Sequence, residues 1–187
     1  MFDWLRRRRT GPELDTPPDT DDSLPVMDGG PFFIRPMEAA DAELLPRIFR
    51  AAIHGQGAAF YTPAQRKAWA SSADDAAAFV ASLEQGVTIV ADLDGRAGGF
   101  AQLHPENTLH MMYVAPGLAG YGVATLLCQY LEDEARILGQ DVLHTHASLA
   151  AKRFFEQMGF KVEAEETVTR AGVTIPRFKM KKVLRKM

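Results

Sequence analysis

A chain of 187 residues with a formal net charge of −3 has room for one hydrophobic core and lacks the basic surface that a general nucleic-acid binder needs. Its 47% hydrophobic and 24% charged residues are ordinary for a soluble globular domain, and one cysteine, Cys128, excludes an internal disulfide or a cysteine-rich zinc cluster. A single cysteine fits a reducing cytoplasm, and no run approaches the roughly 20 apolar residues that cross a bilayer, so stable membrane insertion is not expected.

In chain order, Arg6 to Arg9 follow the apolar residues near the start rather than precede an apolar run, which reads as neither signal peptide nor anchor. Pro12, Pro17, Pro18 and Pro25 then sit among Asp, Thr and Gly, a composition that buries too little apolar surface to offset ordering entropy. Residues 1–31 are therefore expected to form a disordered extension, and residues 32–187 the domain. A short β run closed by Pro36 opens that domain, and Leu44, Leu45, Ile48 and Phe49 predict an amphipathic helix over residues 39–52. Thr62 before Pro63 is a helix start, giving short helices over residues 63–71 and 74–85.

The β-branched run at residues 87–93 ends at Asp94-Gly95, a hairpin signal, and residues 98–103 return antiparallel. Another strand is expected at residues 109–114, followed by a glycine-rich turn and a helix over residues 123–138 stopped by Gly139. A strand at residues 142–146, a helix at 149–158, and strands at 160–169 and 174–183 complete the pattern. The implied class is α/β, with a mixed, mostly antiparallel sheet of six or seven strands and helices on both faces.

The segment richest in chemistry is Ala119-Gly120-Tyr121-Gly122-Val123-Ala124, where a strand passes through glycines into a helix. Main-chain N–H groups converge at such a helix start, where the dipole also favours an anion, so the turn can cradle a diphosphate. Gly-x-Gly-x-Ala alone is a weak signal. A dinucleotide-binding Rossmann site would place the turn after the first strand, and here three or four strands precede it.

With these residues the chain resembles the GNAT superfamily of acetyl-CoA-dependent N-acetyltransferases, across roughly residues 33–184. The family's phosphate motif, Q/R-x-x-G-x-G/A, is matched at its glycine and alanine positions, with Ala119 in place of the leading Gln or Arg. A second block, from Ala147-Ser148 through Phe154-Phe155 to Gly159-Phe160, follows the form N-x-x-A-x-x-F-Y-x-x-x-G-F, with Ser148 for Asn and Phe155 for Tyr. Tyr61-Thr62-Pro63-Ala64-Gln65 and Ala68-Trp69-Ala70 are similar to the branch called YafP-like acetyltransferases.

The resemblance implies acetyl-CoA as cosubstrate, no metal, and direct attack of a primary amine, on a small molecule or peptide, at the thioester. It implies that Met112, Tyr113 and Val114 meet the pantetheine arm and the oxyanion, that Ala119 to Ala124 and Thr125 meet the diphosphate, and that Ser148 and Phe155 contribute to the cofactor site. The strands at 109–114 and 142–146 would flank the cofactor, and residues 55–70 would hold the acceptor. A homodimer is compatible with it.

The family's tyrosine acid falls on Phe155, which leaves Tyr61, Tyr113 and Tyr121, and a thiolate with pKa about 8.5 needs little acid assistance. The family's glutamate base falls on Thr108, which cannot serve. His110 lies two residues on, sharing a strand face if alternation is regular, with His146 a second candidate and Glu106 a third through water. Cys128 reads as a core cysteine, and Phe154 and Phe155 read as core residues, with Phe155 also a candidate for the wall of the thioester pocket. His144 and His146 share a strand face with no carboxylate evident nearby in sequence. The alternative to an enzyme is an acyl-CoA sensor or interaction module that kept the fold.

Overall fold

The computed structural model describes residues 32–184, so the expectation for residues 1–31 lies outside them. In chain order the elements are β1 (Phe33–Pro36), α1 (Leu44–Gly55), α2 (Pro63–Ala70), α3 (Ala76–Leu83), β2 (Val87–Leu93), β3 (Arg96–Leu103), β4 (Thr108–Val114), α4 (Val123–Ile137), β5 (Val142–Ser148), α5 (Lys152–Gln157), β6 (Lys161–Arg170) and β7 (Val173–Val183). The strands form one seven-stranded sheet in the order β1-β2-β3-β4-β5-β7-β6. Every neighbouring pair is antiparallel except β4 and β5.

Apolar alternation along the central strands feeds two cores, one on each face. Leu127 and Leu131 of α4 pack with Leu103, Leu109 and Leu143 on one side. On the other, Ile48 and Phe49 of α1 and Phe79 of α3 pack with Val90 and Phe100. Cys128 is fully buried in the first of these cores, as its place on the apolar stripe of α4 predicted.

Two helices start three or more residues later than the sequence suggested, and α3 is trimmed by two residues at each end. The residues before α1 form a 3-10 turn at Ala39–Asp41, because the Asp41 carboxylate takes the Arg35 guanidinium at 2.7 and 2.8 Å and the Glu38 N–H at 2.8 Å. Pro46 is tolerated because the helix begins only at Leu44, which keeps the proline in the first turn. At α5 the Leu149 N–H goes to the Tyr61 hydroxyl at 2.8 Å and the Ala151 N–H to Ser148 Oγ at 3.1 Å, so helix starts only at Lys152.

The sheet opens between β4 and β5. These strands pair only at Thr108↔His144 and Leu109↔Thr145, and the Thr145 hydroxyl donates to the Leu109 carbonyl at 3.0 Å. Beyond that point β4 stays laddered to β3 through Val114, and β5 stays laddered to β7 through Ser148. Each strand follows its other neighbour, so the two part and leave a gap.

Candidate active site

β4 carries a bulge where the gap begins. Leu103 faces Leu109 while Gln102 faces Met111, leaving His110 as an extra residue. Met111 and Tyr113 join the core beneath α1 and α3, Met112 and Val114 the core beneath α4. His110 and Met111 consequently line the same cavity.

The Ala115 N–H donates to the Gly98 carbonyl at 2.9 Å, which makes Val114↔Gly99 a non-hydrogen-bonded pair of the antiparallel ladder. By that alternation Met112 and Val114 direct their main-chain N–H and C=O away from β3, into the gap. The Val114 carbonyl receives Gln56 Nε2 at 3.3 Å. Sequence reading placed Gln56 only within the acceptor segment 55–70, and its bond to β4 becomes evident only once α1 lies across the gap.

β4 leads through a 3-10 turn, Pro116–Leu118, into Ala119-Gly120-Tyr121-Gly122. Gly120 and Gly122 have φ of 87° and 83°, left-handed values that strain residues bearing a β-carbon, and a β-carbon built on either would meet nothing within 4 Å. Leu126 N–H closes the first turn of α4 on the Gly122 carbonyl at 3.0 Å. The N–H groups of Val123, Ala124 and Thr125 come before that bond and have no carbonyl four residues back within the helix. Tyr121 is 60% exposed beside them. Open space beside two glycines, edged by main-chain donors that the helix does not use, fits a diphosphate, so the residues present fit the group that the resemblance implies.

Two cavities meet at the gap. One, of about 230 Å³, is lined by Gln56, Phe60, Met112, Ser148 and Ala151 among others. The second, of about 350 Å³, is lined by His110, His146, Arg170 and Arg177 together with aromatic side chains from α1 and α3. Tyr61, Trp69, Tyr113 and Ser148 line both. Tyr61 is 4% exposed, and its hydroxyl accepts the Leu149 N–H and donates to the Pro176 carbonyl at 2.9 Å. Burial raises its phenol above the ordinary range, with the Leu149 N–H opposing, and burial pushes the Tyr113 phenol up as well.

The histidine ring at position 110 makes no hydrogen bond among the described residues and stands edge-on to His104 at 6.4 Å. Partial enclosure lowers its pKa below the ordinary value, reinforced by His104, His146, Arg170 and Arg177. His146 differs in having a carboxylate, Glu166 Oε1, at 2.6 Å from Nδ1, and the same oxygen accepts Arg177 Nε at 2.6 Å. Burial works to raise the Glu166 carboxyl, but the bonds and charges of His146 and Arg177 outweigh it and hold the group low. His144 likewise lies 3.6 Å from Glu163. Both glutamates come from β6, so the expectation that no carboxylate stands near this histidine pair is corrected.

Other expectations also change. Phe155 is 3% exposed and packs on Phe154 and Phe160, both at 5.2 Å between ring centroids, so it belongs to the core and lines neither cavity at the gap. Glu106 lies on the loop before β4, lining a different cavity with Leu138 and Gln140. Residues 55–70 divide between the two cavities, and the wall of the larger continues to Ser71, Ser72 and Asp75, beyond where sequence placed it. Arg170 and Arg177, on the β6-β7 hairpin, were legible only as parts of strands and a turn.

Residues 52–184 match the family described as "Acetyltransferase (GNAT) domain". The chain is 29% identical over 148 residues to the uncharacterized N-acetyltransferase YafP of Escherichia coli (strain K12), covering 79% of this chain and 93% of that protein. A crystal structure titled as a GCN5-related N-acetyltransferase, "Aminotransferase, Class-II", from Rhodopseudomonas palustris superposes with a TM-score of 0.81 at 35% identity, covering 87% of this chain and all of that one. YncA of Salmonella typhimurium, solved with its cofactor acetyl-CoA, has the same fold at 21% identity with a TM-score of 0.61, over 84% of this chain and 96% of that one. The chain belongs to the GNAT acetyltransferases, enzymes that transfer acetyl groups from acetyl-CoA.

Proposed function

We propose that this enzyme acetylates a primary amine on a small molecule or peptide in the cytoplasm, by direct attack within the opening between β4 and β5. The observation that carries the reading is the parting of those strands after Leu109 and Thr145, immediately before the glycine turn. Acetyl-CoA supplies an activated acyl group whose thioester bond to sulfur breaks as the bond to nitrogen forms. The main-chain N–H groups of Gly120 and of Gly122 to Thr125 hold the diphosphate, the Tyr121 N–H being donated to the Leu118 carbonyl. Met112 and the N–H of Val114 offer main-chain groups that β3 does not use to the pantetheine arm, and an N–H among them serves the carbonyl oxygen.

His110 takes the amine proton, directly or through one water. Its depressed pKa keeps the ring neutral, and able to accept a proton, at neutral pH. Tyr61 has its one hydroxyl proton committed to the Pro176 carbonyl, so in this reading it walls and orients the two cavities. A specific observation favours a second assignment of the base: the 2.6 Å contact with Glu166 orients His146 as a carboxylate orients a catalytic imidazole.

The test is acetyl-CoA titration by calorimetry, followed by thiol release with a panel of primary amines and mass measurement of the products. The expected outcome is binding, and release that depends on an amine. Binding without amine-dependent release would favour an acyl-CoA sensor.

A further inference from the structure

We infer that the acceptor is a small amine bearing a carboxylate on an aromatic or apolar body, the chemistry of a free hydrophobic amino acid. The inference rests on the reading that the 350 Å³ cavity holds the acceptor. A cavity of this size encloses one small molecule rather than a length of polymer. Its deep wall is apolar: Phe49 and Phe79 are 3% and 4% exposed, their centroids 4.9 Å apart, and Tyr113 meets Phe49 at 4.7 Å. Val168 and Ile175 face them from the β6-β7 hairpin. Burying an aromatic or branched side chain against such a wall removes apolar area from water on both partners.

The charge in the cavity is of one prevailing sign. Arg170 and Arg177 come from the hairpin, and Asp75 from the start of α3, where its Oδ1 caps the Ala78 N–H at 2.9 Å. Glu166 occupies Arg177 Nε. Among the described residues no carboxylate pairs with Arg170, whose guanidinium makes one long bond, 3.4 Å, to the Thr169 carbonyl. An exposed arginine on the wall of a cavity whose buried floor is aromatic, with its donor fork uncommitted, is a receptor for a carboxylate. The same two guanidiniums repel a second cation, which disfavours polyamines and the side chains of lysine-rich peptides.

The hairpin is fastened where this requires. Tyr61 donates to the Pro176 carbonyl at 2.9 Å and Gln65 Nε2 to the Thr174 carbonyl at 3.0 Å, so the strand bearing Arg177 is tied to α2 and the segment before it. Arg170 is held by the adjoining turn, with Arg170 opposite Val173.

The experiment compares phenylalanine with phenethylamine, which lacks only the carboxylate, with phenylalaninamide, which replaces it by a neutral group, and with spermidine. The full chain is assayed for kcat/KM, and calorimetry on the CoA complex compares N-acetylphenylalanine with N-acetylphenethylamine. Phenylalanine should exceed phenethylamine by about 10- to 100-fold, the worth of a charge-assisted hydrogen bond. Arg170→Gln should lower that ratio by about tenfold, and Arg170→Lys should restore part of it. A ratio near one, a preference for spermidine, or a ratio unmoved by Arg170→Gln in both measurements overturns the inference. Those results with acetyl-CoA still bound count against the acceptor class alone. Failure to bind acetyl-CoA counts against the reading of the site itself.

Discussion

The turn at residues 119–122 and the cavity around His110 are made of different materials. The turn is main chain: two left-handed glycines and the unused N–H groups of α4, with no side chain required to touch a ligand. The cavity is side chain, gathered from α1, α2, α3, β4, β5 and the β6-β7 hairpin. A main-chain device suits a group that a whole family shares, the diphosphate in the reading proposed above, and tolerates almost any sequence that keeps its dihedral angles. A side-chain device recognises what is particular and changes with each substitution.

The largest expected effect falls on the side-chain part. His110→Gln should lower turnover by about 10² to 10⁴ while acetyl-CoA affinity stays within a few-fold. In the wild type kcat/KM should rise with pH through a midpoint below the ordinary histidine value of about 6.5, since the lowered pKa leaves the neutral base present above it. That limb should vanish in the variant. His146→Gln in the same assay decides the competing assignment: loss of the limb there, and not in His110→Gln, moves the base to the histidine held by Glu166.

Next is Gly122→Glu, expected to weaken acetyl-CoA binding by about 100-fold or more, roughly 2.7 kcal/mol. It puts a carboxylate where the diphosphate would lie and a β-carbon on a residue with φ of 83°. The site is open, so the fold should survive, and Gly122→Asn, which accepts left-handed backbone more readily, should bind better than the glutamate. Unchanged affinity in folded Gly122→Glu would break the distinction between a main-chain and a side-chain half.

The smallest effect concerns the residue that both cavities share. Tyr61→Phe leaves the Leu149 N–H without its partner and should cost about 1 to 3 kcal/mol. For a chain of this size Tm should fall by about 3 °C for each kcal/mol lost, read by thermal unfolding. A loss of turnover beyond 10²-fold with Tm intact would instead make the tyrosine an acid, and the comparison would then need a third member.

The same division explains what the sequence disclosed. The seven strands and the glycine turn were legible because period, hairpin signals and glycines are local properties of the chain. Asp94-Gly95 turns where it was expected, with φ of 52° and 81°. Helix starts misled where a side chain overrode the apolar spacing, as Asp41 and Tyr61 do by taking main-chain donors or the residues that would supply them. Glu166 and Arg177 could not be paired with His146 from sequence, because their meeting depends on β7 lying between β5 and β6. Phe155 lies in the core, as its residue type on an apolar helix face suggested, even though it stands at the family's tyrosine position.

The bulge at His110 bears on how the strand accommodates an extra side chain. Leu109 faces Leu103 and Met111 faces Gln102, which are consecutive on β3, so the ladder on either side is in the frame of a strand one residue shorter. Leu109 and Met111 already belong to opposite cores, as adjacent residues of an unbroken strand would. The histidine is thus one residue added to the frame of an otherwise regular strand, and it displaces no neighbour from its face and leaves both cores in register. A strand built this way can carry a side chain to the cavity wall without altering the pairing that supports it.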